Sequence, residues 1–390
     1  MGEPQAWFRY THDRGSELQG VTRPLTNNVW QDLRHLVNDP TLPGRWIGYI
    51  SYDIAKLIEP AKLARLSQTH DHWPLVELGY CEDVRLFPAS MNQQPDGVEV
   101  LPATPLHVSD DATRSLLVGE PTSVFTRQEY LRAVEDVLRY IQAGDVFQVN
   151  LAQQFSSRFT GDTRTLFERL CSISPAWYGA YLELCDGRVI CSTSPELFLQ
   201  VTGRHVITRP IKGTRPANVS VEELRGSEKD TAELMMIIDL MRNDLGRVCE
   251  YGSVRVTEPR SIETHPTIHH AVGTVEGDLH ESMDMIDLLK ASLPGGSITG
   301  APKIRAMQIV DELEPVPRGP YCGCIGYLSR DEMCLNIAIR TMQLDTRRNN
   351  VCFSVGGGIV ADSNPQDEYQ ETLDKARAMF DALGLTGSSS

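Results

Sequence analysis

In the stretch Val146-Phe147-Gln148-Val149-Asn150-Leu151-Ala152-Gln153-Gln154-Phe155, Phe147, Val149 and Leu151 alternate with Gln148, Asn150 and Ala152. That two-residue period belongs to a strand with one face on a core and the other presenting amides. The residues before it read differently. Thr126 and Glu129 form a capping box, and Tyr130, Val134, Val137, Leu138 and Ile141 follow at helical spacing, with Gly144 as the stop. Further strands are expected at Tyr178–Leu184, Arg188–Cys191, Leu197–Val201, His205–Thr208, Tyr321–Leu328, Cys334–Gln343 and Val351–Val355. Helices are expected over Val221–Leu245, Asp284–Ser292 and Ala301–Leu313. A last helix starts from Asn364 as cap with Pro365 in the first position, and ends near Leu383. Strands in neighbouring runs, without strict β-α alternation, predict an α+β fold: antiparallel sheets with helices packed outside.

Residues 1–120 are less regular and rich in turn formers, although Trp46-Ile47-Gly48-Tyr49-Ile50-Ser51-Tyr52 reads as a strand interrupted by glycine. Pro, Gly, Asp and Ser cluster between Leu86 and Pro121, the composition of a surface hairpin and linker. The chain therefore divides into an N-terminal region, 1–120, and a second domain, 121–387.

With 37 basic against 52 acidic side chains, the net charge of −15 argues against nucleic acid or an anionic membrane as the main partner. An anionic metabolite remains possible if cations are gathered locally. No apolar run approaches the roughly 20 residues that span a bilayer, and a cytoplasmic enzyme is expected. Nine cysteines without framework spacing read as reduced thiols, and neither Cys322 and Cys324 nor His265, His269 and His270 carry convincing zinc spacing.

The chemistry concentrates in a few places. Lys212 lies in Arg209-Pro210-Ile211-Lys212-Gly213-Thr214-Arg215-Pro216, where prolines and glycine favour a turn able to aim it at a ligand. A desolvated lysine becomes a nucleophile or base. Asp230 with Glu233, and Glu368 with Glu371, are i, i+3 carboxylate pairs, each on one helix face, and Lys375 extends the second face. Four converging carboxylates would demand a cation, and all-oxygen ligands favour magnesium. Gly356-Gly357-Gly358 reads as a turn, either merely flexible or offering backbone amides to an anion. The loop Gly295-Gly296-Ser297-Ile298-Thr299-Gly300 enters a helix, and Thr299 there suits a carboxylate or hydroxyl. Arg340 is either a rim residue or a bidentate carboxylate clamp, and Glu196 is a candidate general acid.

Four strings occur together and in order: Pro210–Pro216, the segment Glu233–Arg247, Ser297–Lys303 and Glu368-Tyr369-Gln370-Glu371-Thr372. Together they resemble the chorismate-utilising enzymes, strongly over residues 125–383 and weakly before, where the region is like that of anthranilate synthase component I. The resemblance implies the chorismate-binding fold for 121–387, large antiparallel sheets forming a sandwich with helices packed outside. It also implies Mg²⁺ bound by Glu233 and Glu371, with Asp230 and Glu368 supporting through water. Arg340, the amides around Gly356 and Gly358, and Lys375 would hold the substrate's carboxylates, with Thr214, Thr299, Tyr321 and His270 lining the pocket. In this family, anthranilate synthase large subunits and the isochorismate and salicylate synthases typically carry alanine where Lys212 stands. The last two also place a base lysine at the position of Gln148. The branch that carries lysine at 212 makes 4-amino-4-deoxychorismate from chorismate and ammonia, towards 4-aminobenzoate and folate. Lys212 would attack the ring while Glu196 protonates the departing hydroxyl. No Gly-x-Cys-x-Gly-type elbow occurs, so ammonia is expected from a separate glutamine amidotransferase subunit. The competing expectations are an aromatising reaction that yields anthranilate and pyruvate, and a catalytically silent carboxylate-binding subunit. No Leu-Leu-Glu-Ser-like segment is found, so feedback inhibition by tryptophan is not expected.

Overall fold

The computed structural model describes residues 3–60, 63, 73–82, 116–264 and 268–385. His265 and most of the expected hairpin and linker between Leu86 and Pro121 fall outside the described residues. The alternating segment is the long strand Gln148–Thr160, and Val149 and Leu151 are fully buried. Phe147, expected on the core face with them, precedes the strand and is 72% exposed. The amide face is also internal: Gln148 and Asn150 are buried, because the far side of this strand closes a cavity instead of meeting solvent.

Gln148–Thr160 belongs to an antiparallel sheet of eight strands, in the order Gly300–Ala301, Gln148–Thr160, Asn350–Ile359, Thr341–Asp345, Arg188–Ser194, Tyr178–Glu183, with Leu117–Val118 and Thr122–Ser123 attached to the long strand. The helices Arg127–Gln142, Thr163–Ile173, Lys303–Leu313 and Pro365–Leu383 cover it through two clusters, one around Val137, Leu151 and Ile309, the other around Leu170, Phe353 and Met379. A second antiparallel sheet has eleven strands. It runs from Ile211–Pro216 through Ile268–Asp278, His205–Arg209, Leu197–Thr202, Glu332–Ile337, Cys324–Leu328, Arg45–Ile50, Val76–Cys81 and Ala6–Thr11 to Gly15–Gln19, and Arg255–Thr264 pairs with Ile268–Asp278. The helices Val29–Val37, Glu228–Gly246 and Met285–Ser292 pack on this sheet's outer side. Between the sheets, Tyr49 and Ile325 of one meet Ile190 and Leu182 of the other, so the two stack face to face. Antiparallel sheets with outer helices are the α+β architecture that the strand runs imply, and their face-to-face stacking is the sandwich that the resemblance implies.

The strands before residue 82 join the same sheet as strands after residue 196. The division near residue 120 therefore marks a change of composition, not a break between sheets. Among the described residues, no helix is long and apolar enough to cross a membrane.

Four local expectations are corrected. The expected strand Cys334–Gln343 is two strands, Glu332–Ile337 and Thr341–Asp345, which lie in different sheets. The chain crosses between them at Ala338–Arg340, and Arg340 takes a left-handed backbone (φ 48°). The expected helix Val221–Leu245 breaks into Val221–Arg225 and Glu228–Gly246, because the Ser227 side chain accepts from the Asp230 amide and caps a fresh start. The Lys212 segment is not a free turn but the edge strand Ile211–Pro216, whose pairing with Ile268–Asp278 slips between Ile211 and Thr214. Gly213 sits in that slip at φ 89°, a bulge that glycine adopts without strain. Gly356-Gly357-Gly358 is likewise no turn: it continues the strand Asn350–Ile359, opposite Ala152, Leu151 and Asn150.

Candidate active site

The chain crosses between the sheets twice in neighbouring positions. One crossing, Pro195–Glu196, joins Arg188–Ser194 to Leu197–Thr202, and the other is Ala338–Arg340. Backbone bonds from Ile337 N to Glu196 O (3.1 Å) and from Thr193 N to Arg340 O (3.0 Å) lace the two together. The seam opens into a cavity of about 850 Å³, closed on its other sides by the bulged strand Ile211–Pro216 and the helices Glu228–Gly246 and Pro365–Leu383. Lys212, Arg215, Lys229, Arg340 and Lys375 line it, the local gathering of cations that an acidic chain needs in order to hold an anion.

Lys212 points inward from its bulge. Its Nζ lies 3.9 Å from Glu233 Oε2, at the edge of ion pairing, and burial lowers the ammonium's pKa against the raising influence of Glu233. Glu196 shifts the opposite way. Burial raises it to about 7, although the Ser297 hydroxyl, which donates to Oε1 at 2.6 Å, and the nearby Lys212 both pull it down. A lysine inclined to lose its proton and a carboxyl inclined to keep one thus share a cavity.

Arg340 is held by a bond from Nη1 to Ser174 Oγ (3.3 Å), and burial lowers its pKa. No carboxylate of a described residue pairs with it. A buried guanidinium without a protein anion is a receptor for an outside one. The Gly356 carbonyl turns away from the neighbouring long strand and accepts from Lys375 Nζ (2.9 Å). Alternation along the strand puts the polar groups of Gly358 on the same open edge. A methyl group at Gly358 would come 2.7 Å from Gln148 Nε2 and 3.4 Å from Lys212 Nζ, so glycine there is what leaves room for both. Thr214 and His270 face each other across paired strands, Oγ1 to Nδ1 2.8 Å, and Tyr321 lines the wall with its phenol pKa raised by burial.

The acidic set is on the cavity wall but is largely matched by the protein's own cations. Asp230 accepts from Arg215 (2.9 Å), Glu371 from Lys375 (2.6 Å), and Glu233 neighbours Lys212. Burial would raise Glu371, but Lys375 and Lys212 hold it below the usual carboxylate range. Glu368 is raised by burial and by Glu371, against a bond from Ser363 Oγ (2.6 Å). Among the described residues no three of these acids close on one point. Their donor type still fits a hard divalent ion: oxygen only, from two helices on one cavity, with two like charges close enough to disturb each other's titration.

The cavity gathers every catalytic, substrate-binding and metal candidate named from the sequence except Thr299, which is fully buried and donates to the carbonyls of Gly295 (3.1 Å) and Gly296 (3.3 Å). Its neighbour Ser297 reaches the cavity instead. Ser297, Ser174 and Lys229 escaped the sequence reading. Ser297 lies in a loop quoted there, but nothing local ties it to an acid 101 residues away.

The family described as chorismate binding enzyme matches residues 4–381. Aminodeoxychorismate synthase component 1 of Salmonella typhimurium is 47% identical over 269 residues, covering 67% of this chain and 59% of that protein. The match thus spans less than two thirds of that relative's length. Anthranilate synthase component 1 of Thermus thermophilus is 46% identical over 397 residues, covering 95% of this chain and 84% of its own. The crystal structure of anthranilate synthase component I from Streptococcus pneumoniae superposes with a TM-score of 0.79 at 28% identity, over 97% of this chain and 90% of that one.

Proposed function

This chain belongs to the family of chorismate-binding enzymes, and we propose that it carries out the reaction of an aminodeoxychorismate synthase component I, from chorismate and ammonia to 4-amino-4-deoxychorismate. The observation that carries this reading is Lys212, a desolvated amine facing the cavity beside a carboxyl that keeps its proton to about pH 7. Lys212, as free amine, forms a bond to ring C2. Both conjugated ring double bonds shift by one position, the C4–oxygen bond breaks, and the departing hydroxyl takes the proton of Glu196 and leaves as water. Ammonia then bonds to C4, both double bonds shift back, and the C2–nitrogen bond breaks to release Lys212 as the free amine, with Glu196 taking back a proton from the new C4 ammonium. Two displacements replace one difficult exchange. Arg340 and the polar edge at Gly356 and Gly358 orient the substrate's carboxylates, while Thr214, His270 and Tyr321 shape the wall.

Glu233 and Glu371, with Asp230 and Glu368 behind them, would hold Mg²⁺, which supplies charge neutralisation for the ring carboxylate. On taking the ion, Glu371 and Glu233 would give up their contacts with Lys375 and Lys212. The relatives are named as component 1, which supports a second component. A glutamine amidotransferase that delivers ammonia fits a chain without a nucleophile elbow of its own.

Anthranilate synthesis is the second reading, favoured by the 46% identity to the Thermus thermophilus relative over nearly the whole chain. One assay separates the two: the purified chain with chorismate, Mg²⁺ and ammonium salt, with products identified by mass spectrometry. 4-Amino-4-deoxychorismate is expected, and anthranilate with pyruvate would overturn the proposal. Lys212→Ala is expected to abolish a substrate adduct on the protein, which intact-mass measurement reads directly.

A further inference from the structure

Building on the reaction proposed above, we propose that Ser297 is a positioning residue for the acid Glu196: its hydroxyl orients the carboxyl and stabilises its ionised form after the proton has been given to the substrate. The Ser297 Oγ donates to Glu196 Oε1 at 2.6 Å, and the two residues are 7% and 4% exposed. A hydrogen bond to a buried carboxylate is of the charge-assisted kind, about twice as strong as a neutral one.

The loop that carries Ser297 does not need this hydroxyl. Thr299 closes the loop by donating to the carbonyls of Gly295 and Gly296. Arg318 Nη1 pins the next carbonyl, that of Ile298, at 3.0 Å, and Lys303 Nζ holds the Ser292 carbonyl at 3.0 Å. A side chain at Gly295 would strike Ile337 at 2.6 Å and one at Gly296 would strike Leu240 at 2.6 Å, so the backbone is wedged between sheet and helix. The Ser297 side chain is the polar group of this loop that is spent on the acid. Among the described residues, the titratable groups facing Glu196 are Lys212, from the strand Ile211–Pro216, and Cys322, ahead of the strand Cys324–Leu328. The thiol stays neutral because burial raises it to about 12, which leaves Lys212 as the titratable neighbour that acts on Glu196.

Infrared titration of the carboxyl band of Glu196 in the ligand-free full chain, with Glu196→Gln as the blank, tests this without relying on turnover. Ser297→Ala is expected to raise the proton affinity of Glu196 about tenfold, Ser297→Cys to raise it by less, and Ser297→Thr to restore the wild-type midpoint. With chorismate, Ser297→Ala should lower kcat about tenfold and leave KM within about twofold. An unchanged midpoint in both the Ala and the Cys variants would overturn the inference whatever product the enzyme makes. Anthranilate as product together with a raised midpoint would sink the reaction assigned above and leave the role of Ser297 standing.

Discussion

Glu196 and Lys212 are displaced from their ordinary ionisations in opposite directions by one cause, burial, and each displacement favours the form that the proposed chemistry uses. Glu196 acts as an acid only while protonated, so kcat/KM should fall as pH rises through about 7. Lys212 acts only as a free amine, so the same quantity should fall toward acid, with a limb set by its lowered pKa. Glu196→Gln should cost about 10²–10⁴-fold in kcat and erase the basic limb; a profile that keeps this limb in the variant would assign it to another group. Both residues stood out in the sequence as candidates, Glu196 from its place after a strand and Lys212 from its Pro/Gly setting, although that setting builds a strand bulge and not the turn it suggested. Their neighbours were less so. Gly358 signals a turn by composition, yet its value here is the space that it leaves to Gln148 and Lys212, which lie far off in the chain.

Among the elements, the helix Glu228–Gly246 does two jobs. Its first half presents Asp230 and Glu233 to the cavity, and near its end Asp244 accepts from Lys303 (2.5 Å), which enters from the helix Lys303–Leu313. Both partners are buried, which pushes Asp244 up and Lys303 down, and each opposes the other's shift. The pair ties the acidic helix to the loop that holds Ser297. Lys303→Met should therefore destabilise the protein by about 1–3 kcal/mol, by removing one of the two cations on a buried carboxylate that keeps Arg247 (2.8 Å), whereas Asp244→Leu combined with Lys303→Met should recover most of that. Urea-denaturation midpoints check both variants, and equal loss in the single and the double would show that the pairing itself is not what matters. Two helix starts were easy to read, because caps are rules over three residues: Thr126 with Glu129, and Asn364 ahead of Pro365, behave as their chemistry dictates, whereas the start capped by Ser227 was hidden inside a continuous helical pattern. The break in Cys334–Gln343 was not. The apolar run continues through Ala338 and Ile339, and what interrupts it is a change of sheet fixed by partners elsewhere, Glu196 and Thr193.

At the scale of the whole molecule, strand order decides what can be separated. Cys324–Leu328 lies between Glu332–Ile337 and Arg45–Ile50, pairing Cys324 with Ile50 and Leu328 with Trp46. The N-terminal strands then carry the sheet outward through Val76–Cys81 and Ala6–Thr11, burying Trp46, Tyr80 and Phe8 in the same core as Leu335 and Ile337. Composition alone placed a boundary near residue 120, since a linker-like tract says nothing of what the strands on either side pair with. Removing residues 1–120 would leave Cys324–Leu328 as an open edge and uncover the apolar face now beneath Trp46 and Tyr80, the arrangement that invites edge-to-edge association. The fragment 121–390 is accordingly expected to aggregate on expression, and the full chain to unfold in a single transition with coincident far-ultraviolet dichroism and tryptophan fluorescence. A monomeric, active fragment in light scattering, or a fluorescence transition well ahead of the dichroic one, would show that the N-terminal strands form a unit of their own.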